Sequence, residues 1–284
     1  MKHNWNAYAR LMRLDKPVGI YLLLWPTYWA LFLAAGGWPD VDLLIIFTVG
    51  VIVMRSAGCV INDYADRDID KHIKRTQNRP ITSGEVSPKS ALLLFFVLIL
   101  SAFGLVLLTN TLTIQLSFVA VALASLYPFT KRCIQLPQFV LGLAFGMSVL
   151  MAFSAQTGEL PLSAYWIFAA NIVWTLIYDT IYAMSDREED LKIGVKSSAI
   201  LFAKCDRIII GILQISLLLI FFKIGNLFDL GLFYQLSALI ISILMIYHQF
   251  LIKNRQKTAC FKAFLHNHYI GLTLFAGILV SLPL

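Results

Sequence analysis

Charged residues are scarce in this chain of 284 residues. They make up 14% of it, whereas apolar residues make up 59% and the mean hydropathy is +0.76. A soluble domain typically carries about 25% charged and about 45–50% apolar residues. A globular domain cannot bury so many apolar residues in one core, because its surface must still be in contact with water. The composition therefore argues against an ordinary soluble protein and predicts an integral membrane protein.

The chain also lacks cysteine and histidine patterns that hold metals or disulfide frameworks. Its five histidines form no HExxH motif, and no CxxC pair occurs among Cys59, Cys133, Cys205 and Cys260. The topology predicted from the loops places these cysteines at or near the cytoplasmic side, where disulfides are rare. No small-residue cleavage pattern stands out near the basic N-terminal arm, so we expect a retained first helix rather than a signal peptide.

Long apolar runs are what the sequence has in abundance. A helix needs about 20 mostly apolar residues to span the hydrocarbon core of a bilayer. Nine such runs predict an all-α membrane protein with nine transmembrane helices, forming a single domain over residues 1–284. The runs lie near residues 18–36, 42–61, 91–109, 112–129, 137–155, 162–183, 207–225, 230–250 and 267–284.

Every second loop between these runs lacks lysine and arginine. The N-terminal arm and residues 62–90, 130–136, 184–206 and 251–266 hold nearly all of the 23 lysines and arginines. Loops enriched in these residues stay in the cytoplasm. We therefore expect a multi-pass protein of the cytoplasmic (inner) membrane, with its N-terminus inside and its C-terminus outside. This pattern accounts for the net charge of +7 without nucleic acid as a partner.

Acidic residues gather at the inner ends of the second and sixth predicted helices. The first cluster reads NDYADRDID over residues 62–70, and the second reads DTIYAMSDREED over residues 179–190. Residues 66–70 align on residues 186–190, so one pattern occurs twice. A single pair of aspartates at a helix end is most often a solvated terminus. Two matching copies on one side of the membrane instead predict two similar halves that face one shared site.

Helical spacing puts the polar residues of each cluster on one face, if each helix continues through its cluster. These residues are Asn62, Asp66 and Asp70 in the first cluster, and Asp179, Tyr182, Asp186 and Asp190 in the second. Like charges at this spacing repel each other, and beside a bilayer such residues usually face a cavity and have partners. Mg²⁺ binds through one or two carboxylates plus substrate phosphates. The clusters therefore predict a magnesium–diphosphate site that faces the cytoplasm.

Basic residues of the same layer are candidates for phosphate contact, although the positive-inside pattern explains them equally well. They are Arg75, Arg79, Lys131 and Arg132. We interpret Arg67 and Arg187 as local salt-bridge partners of the acids. Arg55 lies two helical turns before Asn62 in apolar sequence, where an unpaired cation is expensive. We expect Arg55 to reach into the cavity and pair with an anionic substrate group; an internal salt bridge to an aspartate is the alternative.

These motifs resemble those of a known family, the UbiA-type intramembrane aromatic prenyltransferases. Residues 62–70 match its NDxxDxxxD motif, and residues 179–190 match DxxYAxxDxxxD. The resemblance covers most of the chain and looks closest to the 4-hydroxybenzoate polyprenyltransferases of bacterial ubiquinone synthesis. Further stretches that carry it are LMRLDKPVG (11–19), LWPT (24–27), RTQNRP (75–80), YPFTKR (127–132) and KIGVKS (192–197).

The resemblance implies a ring of nine helices around a central cavity that opens laterally to membrane lipid. It also implies an enzyme that binds a polyprenyl diphosphate through Mg²⁺ and transfers the prenyl group to the ring carbon ortho to the hydroxyl of 4-hydroxybenzoate. Arg55 would hold the benzoate carboxylate, while Arg79 and Lys131 assist the leaving diphosphate. Tyr182 would orient the diphosphate or the ring, with a packing role as an equal alternative. The expected metal ligands, direct or through water, are Asp66, Asp70, Asp186 and Asp190, supported by Asn62, Asp63 and Asp179.

Three other interpretations of the same residues remain. Prenyltransferases of the haem, menaquinone and chlorophyll types share the aspartate motifs. Membrane CDP-alcohol phosphotransferases also use clustered aspartates and metal, but their DGxxARx₈Gx₃Dx₃D pattern is absent here. A transporter without enzymatic activity would normally carry its acids near the bilayer midplane. The acids of this chain cluster at one interface, which disfavours transport.

Overall fold

Helices form nearly all of the secondary structure in the computed structural model, which describes residues 5–71 and 76–283. No β-strand occurs in these ranges. The helices are α1 (Trp5–Leu11), α2 (Val18–Ala35), α3 (Val41–Asp70), α4 (Pro88–Val106), α5 (Thr111–Cys133), α6 (Pro137–Thr157), α7 (Leu162–Ile193), α8 (Ser198–Phe202), α9 (Asp206–Leu227), α10 (Leu232–Leu251), α11 (Lys257–His266) and α12 (His268–Ser281).

Nine segments of the described chain are long and apolar enough to cross a membrane. Each of α2 to α7 contributes one of them. The other three are α8 with α9, α10 with the short 3₁₀ turn that follows it, and α11 with α12. The predicted all-α fold and the number of membrane helices are therefore confirmed.

The two acidic clusters lie on helices, which corrects the helix ends predicted near residues 61 and 183. α3 continues to Asp70, and α7 continues to Ile193 before Gly194 ends it with a φ of 72°. Apolarity marks where a helix leaves the hydrocarbon core, but the backbone hydrogen bonds of a helix continue into the polar layer until a cap ends them. The condition for a shared polar face in each cluster is thereby met.

Two helices, α1 and α11, fall in segments that the apolar runs left as an arm and a loop. α1 packs Ala7 and Leu11 against a small cluster that includes Val60 and Val86. The predicted loop over residues 251–266 is wrong, because α11 occupies its second half and only Asn267 separates α11 from α12. Lysines in α11 lower its apolarity, so a search for apolar runs does not detect this helix.

The short connection predicted near Asn110 is confirmed as a hairpin between α4 and α5. The Asn110 Oδ1 atom accepts a hydrogen bond from the Thr113 N–H at 2.9 Å and so caps the start of α5. The Asn110 side-chain amide also donates to the Ser154 carbonyl, which ties the hairpin to α6.

The main core lies around α7, with side chains from α2, α6, α9, α10 and α12 packed against it. It includes the fully buried Trp29, Trp174 and Phe221, and the Trp29 indole donates to the Gly271 carbonyl at 3.0 Å. In contrast, only 11% of the α4 membrane segment is buried, compared with 61% of the α7 segment. α4 therefore lies at the surface of the helix bundle, and α7 lies at its centre.

Candidate functional site

Residues of the helices α2 to α7 line a cavity of about 760 Å³. All of the predicted site residues in the described chain line it, and Arg75 lies outside the described residues. The predicted residues that line the cavity are Arg55, Asn62, Asp63, Asp66, Asp70, Arg79, Lys131, Arg132, Asp179, Tyr182, Asp186 and Asp190. The structure therefore brings the two acidic clusters to one space, as their repeated pattern predicts.

The rest of the cavity wall is mostly apolar. It extends along α3, α4, α5 and α6 to Thr109 and Thr113, which stand beside the α4–α5 hairpin at the far end of these helices. Apolar side chains of this part include Phe47, Val51, Leu105, Phe145 and Met151. The cavity thus has one charged end and one apolar end, which suits a ligand with an anionic head and a hydrocarbon tail.

Two arginines hold the first cluster in place through the buried side chain of Asp63. The Arg13 Nη2 atom lies 3.0 Å from both carboxylate oxygens of Asp63. The Arg79 Nη1 atom lies 3.0 Å from Asp63 Oδ1 and 2.7 Å from Asp70 Oδ2. Because Asp63 and Asp70 are only 2% and 3% exposed, these ion pairs compensate carboxylates that have lost most of their water.

Arg79 therefore has carboxylate partners in this structure, and its predicted phosphate contact stays a prediction. Asp70 lies just beyond the membrane-spanning part of α3, which ends at Asp68. Burial raises the pKa of the Asp70 carboxyl above its ordinary value, and the Arg79 guanidinium opposes that rise. Arg79 thus favours the charged form of Asp70, which is the form that a cation requires.

Polar side chains lie beside the acids of the second cluster. The Ser185 hydroxyl donates to the Tyr182 carbonyl at 2.6 Å, and its oxygen lies 3.2 Å from Asp186 Oδ1. The Gln138 side chain lies beside Asp179 and accepts a hydrogen bond from the Ser198 N–H at 2.9 Å, so it links α6 to α8. Sequence inspection did not indicate Gln138, because a single glutamine at the start of a membrane helix carries no recognisable pattern.

Arg187 binds Asp206 on α9, so its predicted pairing with acids of its own cluster is wrong. Asp206 is fully buried and also accepts hydrogen bonds from Arg255, whose Nη2 and Nε atoms lie 2.7 Å from Oδ1 and 3.0 Å from Oδ2. These contacts tie the end of α7 to α9 and to the turn before α11. For Arg67, the prediction of a local partner is confirmed, because its Nε atom lies 3.7 Å from Asp68 Oδ2.

Arg55 lies in the cavity wall, one helical turn before Cys59. Its Nη1 atom donates to the Cys59 Sγ atom at 2.9 Å. Among the described residues Arg55 makes no salt bridge, so the alternative of an internal salt bridge to an aspartate is not observed there. A thiol is a weak partner for a guanidinium, so the described side chains use little of the hydrogen-bonding capacity of Arg55.

Aromatic rings surround the polar end of the cavity. The Tyr182 ring packs on Phe264 of α11 with a centroid distance of 4.8 Å, and Phe261 lies 6.3 Å away. The Lys131 Nζ atom lies 5.6 Å from the centroid of the Tyr127 ring. Tyr182 therefore does pack against other rings while it lines the cavity, so its two predicted roles are compatible.

A model of the UbiA prenyltransferase family matches residues 23–271. The chain belongs to this family. It is 65% identical to a 4-hydroxybenzoate octaprenyltransferase of Vesicomyosocius okutanii subsp. Calyptogena okutanii (strain HA), over 96% of this chain and 100% of that protein. It is 55% identical to the 4-hydroxybenzoate octaprenyltransferase of Shewanella oneidensis, over 98% of this chain and 97% of that protein. The predicted family and subfamily resemblance is therefore confirmed.

Solved structures of UbiA homologues have the same fold. The apo structure of a homologue from Aeropyrum pernix K1 has a TM-score of 0.81 and 26% identity, over 92% of this chain and 97% of that one. A homologue from Archaeoglobus fulgidus, solved with GPP and Mg²⁺, has a TM-score of 0.74 over 96% of this chain and 99% of that one. At 17% identity, the second comparison shows a shared fold alone.

The carboxylates of this UbiA-family cavity fit a magnesium ion that arrives with a phosphorylated ligand. Their oxygens are the ligands that this hard cation prefers. No group of three or more histidine, cysteine, aspartate or glutamate side chains in the described part of the chain converges closely enough to hold a metal alone. A site that offers one or two carboxylates leaves the remaining coordination positions of the ion for water and phosphate oxygens, as is usual for Mg²⁺.

Proposed function

We propose that this UbiA-family protein transfers a polyprenyl group from polyprenyl diphosphate to 4-hydroxybenzoate, at the ring carbon ortho to the hydroxyl, in ubiquinone synthesis. Mg²⁺ is the proposed cofactor. The observation that carries the proposal is the meeting of two acidic helix faces at the charged end of a cavity with an otherwise apolar wall. The names of the relatives at 65% and 55% identity support 4-hydroxybenzoate as the acceptor and an octaprenyl group as the chain transferred.

The diphosphate binds at the charged end, where Asp66, Asp70, Asp186 and Asp190 hold Mg²⁺ directly or through water. Bound Mg²⁺ supplies positive charge that neutralises the leaving diphosphate. Lys131 adds a further positive charge at the same end. The bond between the allylic carbon and the diphosphate oxygen breaks, and the electron pair leaves with the diphosphate. Fixed charges aimed at that oxygen stabilise the transition state without reorganisation.

The acceptor ring then attacks the allylic cation. The carbon ortho to the phenol oxygen is electron-rich, so it forms the new carbon–carbon bond, after which the ring loses a proton. Arg55 binds the benzoate carboxylate and fixes the ring in the cavity. Aromatic and aliphatic side chains exclude water, which would otherwise capture the cation.

Aspartate substitutions test the metal site. In membranes that carry Asp66→Ala or Asp186→Ala, we expect loss of the Mg²⁺-dependent incorporation of labelled 4-hydroxybenzoate into lipid extracts. Asp68→Ala is the matched control, because Asp68 lies on the same end of α3 with its side chain 69% exposed and outside the cavity wall. Near wild-type turnover in both cavity variants, at normal protein levels, would contradict the metal-site proposal. Trials with protohaem and 1,4-dihydroxy-2-naphthoate as acceptors test the choice of 4-hydroxybenzoate.

We also propose that the charged end of the cavity faces the cytoplasm and that the protein lies in the inner membrane with its N-terminus inside. Two free cysteines at this end, Cys133 and Cys205, are exposed, whereas Cys59 and Cys260 are buried. A maleimide that does not cross membranes should label the exposed pair in inverted vesicles and not in right-side-out ones. The Cys133→Ser/Cys205→Ser variant is the control for labelling of the buried pair. The opposite labelling pattern would reverse the proposed orientation.

A further inference from the structure

Gly19, near the start of α2, lies directly against the guanidinium group of Arg55. A Cβ atom on Gly19 would stand 2.5 Å from both the Nε and Nη2 atoms of Arg55, and 2.9 Å from its Cζ atom. Ordinary contacts between such heavy atoms are about 3.5–4.0 Å. Any other residue at position 19 therefore has to displace the Arg55 side chain from its present place.

The backbone does not require a glycine at this position. Gly19 lies inside α2, and its φ is not in the left-handed region, so a side chain would be compatible with the local conformation. A glycine inside a helix destabilises the helix relative to alanine. The close approach of the Arg55 guanidinium is the feature of the structure that accounts for the missing side chain.

We propose that Gly19 is a positioning residue that sets the place of the Arg55 guanidinium, and with it the affinity for the carboxylate of the aromatic acceptor. This inference rests on the proposed role of Arg55. Both residues line the cavity, and the Nη1 atom of Arg55 is held at 2.9 Å from Cys59 Sγ. Gly19 and Cys59 thus contact the guanidinium from two different helices, α2 and α3.

The physical consequence of a methyl group at position 19 is selective. The guanidinium group of Arg55 is at the end of a flexible side chain, so it can move aside without disruption of the fold. The carboxylates proposed for the diphosphate site belong to the ends of α3 and α7, and the added methyl group does not touch them. Gly19→Ala should therefore weaken binding of the acceptor and leave binding of the diphosphate unchanged.

The experiment measures kcat and both KM values for Gly19→Ala, Arg55→Ala and the double variant. We expect Gly19→Ala to raise the KM for 4-hydroxybenzoate by roughly tenfold, the loss expected for a misplaced hydrogen bond to a charged group. The KM for polyprenyl diphosphate should not change, and the thermal unfolding midpoint should not fall, since alanine is the better helix former. Gly104→Ala is the matched control, because Gly104 lies in a membrane helix, outside the cavity wall, and a Cβ atom there meets nothing within 4 Å.

Two further readouts test whether Gly19 acts through Arg55. In the Arg55→Ala background, Gly19→Ala should have no additional effect on the acceptor KM. The wild type should bind 4-hydroxybenzoate in preference to its neutral amide, and Gly19→Ala should lose that preference. Full additivity in the double variant would overturn the inference.

The outcome separates this inference from the proposed function. An acceptor-selective defect in Arg55→Ala together with wild-type kinetics in Gly19→Ala overturns the role of Gly19 and leaves the role of Arg55 intact. If Arg55→Ala retains a normal acceptor KM, the proposed role of Arg55 is wrong, and the inference about Gly19 fails with it. The aspartate variants of the metal site report on the prenyl transfer itself in either case.

Discussion

Removal of the Asp63 side chain tests whether the buried ion pairs of the first cluster hold the fold together. Asp63 is 2% exposed, and Arg13 and Arg79 both approach its carboxylate to 3.0 Å. Asp63→Ala leaves the two guanidinium groups without this partner. Arg79 keeps Asp70 at 2.7 Å, whereas Arg13 keeps only a hydrogen bond to the Arg10 carbonyl at 3.1 Å.

The size of the effect follows from the burial of the pair. Breaking a buried ion pair by removal of one partner costs about 3–5 kcal/mol. Because Arg79 retains a second carboxylate, we expect the low end of that range, about 3 kcal/mol of unfolding free energy. For a chain of this size, such a loss corresponds to a fall of roughly 5–10 °C in the thermal unfolding midpoint.

The assay is the thermal unfolding midpoint of the detergent-solubilised protein, measured for Asp63→Ala, Arg13→Ala and the double variant. If the ion pair is the origin of the effect, Arg13→Ala adds little in the Asp63→Ala background. Asp68→Ala serves as the control and should leave the midpoint unchanged, because Asp68 makes its ion pairs at the surface. A midpoint for Asp63→Ala that equals the wild type, or full additivity with Arg13→Ala, would refute the reasoning.

Two further predictions concern the packing of α7. Asp206→Asn should lower the unfolding free energy by about 2–3 kcal/mol, less than a fully buried pair because Arg255 is partly exposed, and circular dichroism melting curves would measure the loss. An unchanged melting curve would show that the ion pairs of Asp206 with Arg187 and Arg255 do not stabilise the fold. Gly142→Val should lower the unfolding free energy by about 1–3 kcal/mol through overpacking. A Cβ atom on Gly142 would already lie 3.1 Å from the Cα atom of Ile172. Melting of this variant at the wild-type temperature would contradict so close an approach of α6 and α7.

The acidic faces could be predicted from the sequence because helical periodicity is local. Asn62, Asp66 and Asp70 fall on one side of any helix that contains them all, and the same holds for Asp186 and Asp190. The repeat of this pattern at two helix ends then predicted one shared space, and the structure confirms that both faces line one cavity. The chemical roles proposed for these residues stay predictions until the aspartate variants are measured.

The ends of the helices could be predicted only in part. Apolar runs mark the hydrocarbon core, so they ended the second helix near residue 61 although α3 continues to Asp70. The same criterion missed α11, because its lysines interrupt the apolar run. A helix is stabilised by backbone hydrogen bonds and caps as well as by lipid, and those contributions are not visible in hydropathy.

Contacts between residues that are distant in the chain could not be predicted from the sequence. Arg187 was expected to pair with acids of its own cluster, but it binds Asp206 on another helix. Arg13 binds Asp63, and Gly19 packs against Arg55, across gaps of sequence that carry no periodic signal. Such contacts depend on which helices are neighbours and on how each helix is rotated.

The sequence by itself determined the membrane class, the number of spanning helices in the described chain and the two acidic faces, because each depends on composition or on the local geometry of one helix. Only the tertiary structure decided which side chains meet. In a membrane, the faces that contact lipid and the faces that contact other helices are both apolar, so hydropathy does not orient a helix or choose its neighbours. Close packing does, through small residues such as Gly19 and buried pairs such as Arg13 with Asp63.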